Sequence, residues 1–464
     1  MHIVPASRSP KTTLLLAIGA LSLLLAACGS AKSVDGQNSG GARGPIGGTG
    51  GNPSGSGGNA TGSGGNATGS GGNATGSGGN ATGSSGGSGT GGASACVLRT
   101  PPSGAAGGDL GAHMLSFAAG VAYPVAGTAV ASADLDGDGG IDLAVGVANG
   151  SVGGVSVLRN ERHGTFGAAT TYPLRGVPET VVAVDLNGDG KIDLAAATNL
   201  PGLGSRFGDG SVTVLLNRGD GTFEPAVDYP AGKGATWLVA GDLDGDGDVD
   251  VAVLDVGGSQ SSAVAVLLNN GSGAFGTAAT YLTGANSLVI GDLNRDGYPD
   301  LVAGGVTLLN KRNGTFTVRA DSGGSAAILA DVNGDAFPDK VVPRQGDNER
   351  GGVDVSINDG SGAFVCDGFY YVGCCPFSEV TSVLPSDVDA NGTVDLLATS
   401  GGSLVAMLNN GDGRFAAPIA IPIGTNLLAT LVATADLNGD HKLDLVLSVG
   451  EAHQINVLIN NSTP

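Results

Sequence analysis

Between residues 115 and 464 the apolar positions come in short runs and never in a helical rhythm. Runs such as "ETVVAV" (179–184) and "NSLVI" (286–290) are bounded by Gly, Asn and Asp. An acidic nonapeptide follows each, and a second apolar run begins on its last residue: "DLAVG" at Asp142, "DLAAA" at Asp193, "DVAVL" at Asp250. A third run ends in Asn: "VSVLRN" (155–160), "VTVLLN" (212–217), "VAVLLNN" (264–270), "LVAMLNN" (404–410). A Gly-rich turn then closes on Phe223, Phe275 or Phe415, and a fourth run holds Tyr172, Tyr229 or Tyr281. Short Val-rich runs between turn residues are strand chemistry. Four strands per repeat, repeated radially, predict an all-β fold, a seven-bladed β-propeller of four-stranded blades.

The nonapeptides set the count. They are "DLDGDGGID" (134–142), "DLNGDGKID" (185–193), "DLDGDGDVD" (242–250), "DLNRDGYPD" (292–300), "DVNGDAFPD" (331–339), "DVDANGTVD" (387–395) and "DLNGDHKLD" (436–444). Successive copies start 51, 57, 50, 39, 56 and 49 residues apart. Carboxylates this close repel, so something must hold them. Oxygen ligands at alternating places of a tight loop suit a hard cation such as Ca²⁺. An EF-hand would need a bidentate acid at the twelfth place, but Val145, Ala196, Val253, Ala303, Val342, Ala398 and Leu447 stand there. The competing reading is that Asp, Asn and Gly simply make good turns. A turn needs no acid at the ninth place, yet all seven copies have one, which favours the cation. The sixth place favours Gly, and Ala336 and His441 replace it in the fifth and seventh copies.

"FGAA" (166–169) and "FGTA" (275–278), each followed by an acidic nonapeptide, resemble FG-GAP repeats. The pattern is also similar to bacterial VCBS-type repeats and to the integrin alpha-subunit propeller. The resemblance covers about residues 115–464 and implies side-chain ligands at places 1, 3, 5 and 9, with a backbone carbonyl at place 7. It maps onto Asp134, Asp136, Asp138, Gly140 and Asp142, and onto Asp185, Asn187, Asp189 and Asp193. The third and fourth sets are Asp242, Asp244, Asp246 and Asp250, and Asp292, Asn294, Asp296 and Asp300. The fifth is Asp331, Asn333, Asp335 and Asp339, and the sixth Asp387, Asp389, Asn391 and Asp395. Asp436, Asn438, Asp440 and Asp444 complete the series, so up to seven Ca²⁺ ions are expected.

The formal net charge of −21 argues against nucleic acid and against anionic membrane surfaces as partners. Seven Ca²⁺ would offset two thirds of it. Only 4% of residues are aromatic, which leaves few platforms for sugars or bases. Single Trp237 opens "TWLVAG" and reads as core. No GxSxG, zinc-spaced His pair or P-loop lysine occurs, so no catalytic set is expected.

The N-terminal 27 residues read as an export signal. Arg8 and Lys11 precede the apolar run 13–27, too short for an ordinary membrane span. "LAAC" (25–28) resembles a bacterial lipoprotein signal, in which Cys28 is lipidated; an ordinary secretory signal with an incidental Cys is the alternative. Residues 28–95 are Gly/Ser/Asn/Thr-rich, with "NATGSGG" repeated, and read as a disordered tether. The propeller domain is set at 96–464. Cys96, Cys366, Cys374 and Cys375 read as disulfide partners in an oxidising compartment, the last three in an insertion of the sixth repeat.

The expectation is therefore a lipid-anchored, extracytoplasmic protein of a bacterial cell envelope. It would act as a binding or adhesion module for an extracellular protein or glycan, with the membrane engaged only through the lipid. A polysaccharide-active enzyme of lyase type is the alternative. The seventh repeat has no Phe-to-Tyr stretch after it, whereas "SFAAGVAYPVAG" (116–127) precedes the first acidic loop and matches "TFGAATTYPLRG" (165–176). The strand around Phe117–Tyr123 is thus expected to complete the last blade by pairing with 456–459.

Overall fold

The computed structural model describes residues 115–462, apart from 128, 150–151, 201–207, 258–261, 321–327, 345–350, 373–379, 401–402, 424–428 and 450–451. The leader, Cys28, the low-complexity segment, Cys96, Cys374 and Cys375 lie outside the described residues.

Twenty-eight strands form seven four-stranded antiparallel sheets in a ring. Blades 1 to 6 span 129–174, 177–230, 235–282, 289–320, 328–371 and 380–421, each in sequential strand order. Blade 7 takes three strands from 429–458 and its outermost strand from Val121–Tyr123. The closing register is Val121↔Val457, Ala122↔Asn456 and Tyr123↔Ile455, extended by a bridge from Phe117 to Asn460. The composite blade is the one expected from the sequence, and it leaves no blade with three strands.

The middle strands explain the continuous apolar runs. Asp250–Asp255 and Ala263–Leu267 in blade 3 are buried on both faces, because each blade is sandwiched between two others. Ala195, Ala197, Val212 and Val214 of blade 2 pack with Leu238, Val251, Val253 and Ala265 of blade 3 in one core cluster. The fourth strands are exposed, as in Ala279–Leu282. Trp237 is partly buried against the core between blades 3 and 4, in line with a packing role.

Aromatic pairs fasten neighbouring blades. Tyr172 of blade 1 meets Phe223 of blade 2 edge to face at 5.1 Å. The same contact joins Tyr123 to Phe166, Tyr229 to Phe275, Tyr281 to Phe316 and Tyr370 to Phe415, at 5.3–5.6 Å. Such pairs add about 1 kcal/mol each beyond burial.

One expectation needs correction. The Cys366 segment is no insertion of the sixth repeat. Phe364–Tyr371 is the regular fourth strand of blade 5, paired along its length with Gly352–Asn358 and kinked by one register shift between Val355 and Ser356. Its Tyr370 supplies the usual contact to the next blade. The run looked irregular because the shift breaks the alternation of facing residues. Cys366 is disulfide-bonded.

Candidate functional site

All seven acidic nonapeptides join the first strand of a blade to the second, so strand direction puts them at one end of the ring. The twelfth-place residues fall inside second strands, as the apolar pattern required. Each loop turns through two left-handed residues. The fourth place has φ of 55–85° and the sixth 64–94°, and Arg295, Ala336, Ala390 and His441 adopt this geometry where Gly stands elsewhere. Ala336 and His441 therefore leave the loop shape intact. The need at the fourth place was missed in the sequence.

The first-place acid organises the loop. Its Oδ2 accepts the sixth-place backbone N–H at 2.8–3.1 Å in all seven copies. The fifth-place side chain accepts the seventh-place N–H through Oδ1 at 2.7–3.1 Å.

The ninth-place acid has a structural task of its own. Asp142, Asp193, Asp250, Asp300, Asp339, Asp395 and Asp444 are fully buried. One oxygen of each accepts the second-place N–H at 2.8–3.1 Å. The other accepts the backbone N–H of the Asn that ends the third strand, at 2.7–2.9 Å. Burial pushes the carboxyl groups of Asp142, Asp250, Asp300, Asp339, Asp395 and Asp444 up to about 6, against the opposing pull of these N–H groups. Asp193 is raised by the same cause. The ninth-place acid is thus explained by backbone satisfaction as well as by any cation, and its recurrence alone does not argue for a metal.

The strand-ending Asn is the residue whose role the sequence hid. The Nδ2 of Asn269 donates to the Val249 carbonyl of its own loop at 2.9 Å and to the Leu186 carbonyl of the preceding blade's loop at 2.7 Å. Asn160, Asn217, Asn310, Asn358 and Asn409 donate the same pair of hydrogen bonds, with Asn160 reaching Leu437 across the closure between blades 7 and 1. Six of the seven loop junctions are thereby registered; at the seventh, Asn460 donates to the Leu443 carbonyl of its own loop at 3.2 Å.

Three loops gather three carboxylates with one oxygen of each within 4.8 Å of the others: Asp134, Asp136 and Asp142; Asp242, Asp244 and Asp246; and Asp387, Asp389 and Asp395. A donor set of carboxylate oxygens at this spacing fits a hard divalent cation. Asp185, Asn187, Asp189 and Asp193 of loop 2, and the corresponding sets of loops 4, 5 and 7, share the fold of the loop but form no such three-carboxylate group among the described residues. Basic side chains stand at several fifth-place acids. Arg162 reaches Asp138 at 3.0 Å, Lys191 reaches Asp189 at 3.0 Å, Arg312 reaches Asp296 at 3.2 Å and Lys442 reaches Asp440 at 3.7 Å. The N–H of Gly140 and the Arg162 guanidinium hold Asp138 below the usual carboxylate range, and the Lys191 ammonium does the same to Asp189.

On the rim, a cleft of about 440 Å³ opens between blades 1 and 2, lined by Tyr172, Arg175, Arg218, Phe223 and Asp228 among others. Its charges are balanced internally, Arg218 with Glu224 at 2.8 Å and Arg175 with Asp228 at 3.7 Å.

No curated protein shows significant similarity to the chain. A chain of the BBS1N–ARL6DN complex superposes with a TM-score of 0.50 at 13% identity, covering 75% of this chain and 98% of that one. A lectin from Agrocybe aegerita, described as specifically recognising non-reducing terminal N-acetylglucosamine, gives a TM-score of 0.44 at 20% identity, covering 66% of this chain and 80% of that one. The first likeness concerns the fold alone. The FG-GAP-like repeat model matches residues 134–196, 185–253, 254–303 and 387–447, each match holding at least one of the acidic loops or the strands that flank it. With seven such loops, one at the head of every four-stranded blade, the described part of this chain is an FG-GAP repeat propeller.

Proposed function

We propose that this propeller is a calcium-stabilised binding module, tethered through its N-terminal segment to a bacterial cell envelope. The observation that carries the cation is the gathering of three carboxylates within 4.8 Å at the heads of blades 1, 3 and 6. Asp134, Asp136 and Asp142, with their counterparts, would hold the ion there, and the ion would neutralise charges that otherwise repel. The acidic loops and the third-to-fourth-strand turns share one end of the ring. That end is committed to registering the blades, which leaves the opposite end and the rim for an extracellular protein or glycan. The leader-like run, Cys28 and the Gly/Ser-rich segment support a lipid anchor with a long tether.

Chelation is expected to lower the melting temperature. Binding to the native state alone adds about 2.7 kcal/mol per site at a hundredfold excess over Kd. An unchanged melting temperature, in purified protein that contains no metal, would sink the calcium reading. A glycan and envelope-protein array with and without Ca²⁺ tests the module: saturable, calcium-dependent binding without turnover supports it. Release of a cleaved product would instead favour a polysaccharide-active enzyme.

A further inference from the structure

The seven loops share one backbone but not one electrostatic environment. Loops 1, 3 and 6 carry an acid at the third place, Asp136, Asp244 and Asp389. These are the loops whose carboxylates converge within 4.8 Å. Loops 2, 4, 5 and 7 carry Asn187, Asn294, Asn333 and Asn438 at that place. In loops 2, 4 and 7 the fifth-place carboxylate is also occupied by a basic group of the protein: Lys191 on Asp189, Arg312 on Asp296, Lys442 on Asp440. In loop 5 the amide of Asn333 donates to Asp335 at 2.9 Å. Loops 3 and 6 have no basic partner at the fifth place among the described residues, and in loop 6 the neutral Asn391 takes only the Thr393 hydroxyl and N–H. Loop 1 stands between: Arg162 takes Asp138, and its three-carboxylate group forms without that residue.

The two arginines sit where the backbone disfavours them. Arg162 and Arg312 follow the strand-ending Asn by two residues, with φ of 69° and 65°. Other repeats place Gly219, Gly271, Gly360 and Gly411 there, all with positive φ. A side chain in the left-handed region costs stability that Gly avoids. That cost is offset where the side chain has a task, and here both guanidinium groups turn onto the fifth-place acid of their own blade's loop.

Resting on the calcium reading above, we propose that Lys191, Arg312 and Lys442 are built-in counter-ions that grade cation affinity around the ring, whereas Arg162 engages an acid outside its loop's three-carboxylate group. Loops 1, 3 and 6 take divalent ion first, and loops 2, 4 and 7, already neutralised by the protein, take it weakly. A fixed positive charge beside a ligand carboxylate repels a divalent ion through largely aqueous surroundings. At a separation of about 6 Å this lowers affinity roughly tenfold.

The test is equilibrium dialysis of the full chain against Ca²⁺. Wild type should give two classes of site, the tighter one belonging to loops 1, 3 and 6. Arg312→Gly restores the residue that other repeats use, so it should fold, and it should tighten one weak site by roughly tenfold. Adding Lys191→Gln and Lys442→Gln should move two more sites. Arg312→Lys keeps the charge and should retain the wild-type isotherm, a rescue that a purely structural role for Arg312 would not give. Seven equivalent sites in wild type, or an unmoved isotherm in the triple variant, would overturn the grading while leaving the calcium reading in place. No bound Ca²⁺ at all would overturn both.

Discussion

Replacing Asn269 by Ala removes the amide that ties blade 3 to blade 2. The side chain is 5% exposed and makes three hydrogen bonds: Nδ2 to the Leu186 and Val249 carbonyls at 2.7 and 2.9 Å, and Oδ1 from the Gly271 N–H at 3.2 Å. Alanine cannot replace any of them, and two carbonyls are left facing a methyl group. A buried polar group deprived of its partner costs about 1–3 kcal/mol. Water can enter from the loop end of the ring, so we place the total near the low end, at about 3 kcal/mol for the three groups. The backbone N–H of residue 269 still reaches Asp250, so the strand itself is unaffected. Asn270→Ala is the matched control. Its oxygen accepts only from Ser272 in an exposed turn, and its loss should cost under about 1 kcal/mol. Urea titration at fixed Ca²⁺ reads both. With m near about 3 kcal/mol/M, Asn269→Ala should lower the midpoint by about 1 M at unchanged m. Equal midpoints for the two variants would refute the inter-blade tie as a source of stability.

Two further outcomes follow from the same geometry. In chelator the buried ninth-place carboxyls, raised to about 6, bind protons more tightly folded than unfolded. Their contribution is present in full below the unfolded value near 3.8 and is lost as pH rises through about 6, so the chelated ring should melt higher at pH 5 than at pH 7.5; saturating Ca²⁺ should reverse that order, and a chelated protein that gains stability across this interval would contradict the assignment. Deleting residues 96–124 removes the outer strand of blade 7 and should destabilise the whole ring, whereas deleting 29–90 should leave the thermal transition where it was; two truncations that melt alike would contradict closure by Val121–Tyr123.

Most of the architecture was legible because each repeat states its own strands. The Val-rich runs, the Phe after the Gly-rich turn and the displaced "SFAAGVAYPVAG" stretch are local signals, and they fixed seven blades and the composite one. The residues that act between repeats were not legible. Asn269 looks like the end of a strand, and its partner Leu186 is 83 positions away in another blade. The ninth-place acids pointed toward a cation, yet each also satisfies two buried N–H groups, a need that appears only once the third strand returns beside the loop. The counter-ions were equally hidden. Arg312 lies 16 residues from Asp296, and only the hairpin brings them together. The Cys366 segment misled because a single register shift resembles an insertion when read as a string.

The clasp of the ring has a mechanical side. Its strand, Val121–Tyr123, lies at the outer edge of blade 7, makes ladder hydrogen bonds on one flank only, to Gln454–Leu458, and rests its Tyr123 ring on Phe166 of blade 1. Tension applied at Leu115 is borne first by the pairs at Ser116 and Phe117, at the end of that edge strand. Loaded from this end, the pairs open one after another, Ser116–Asn461 first and Tyr123–Ile455 last, rather than all sharing the force at once. Tension at Leu115 therefore unzips the seal of the ring, and the last pair to part, at Tyr123, takes with it the contact to Phe166 of blade 1.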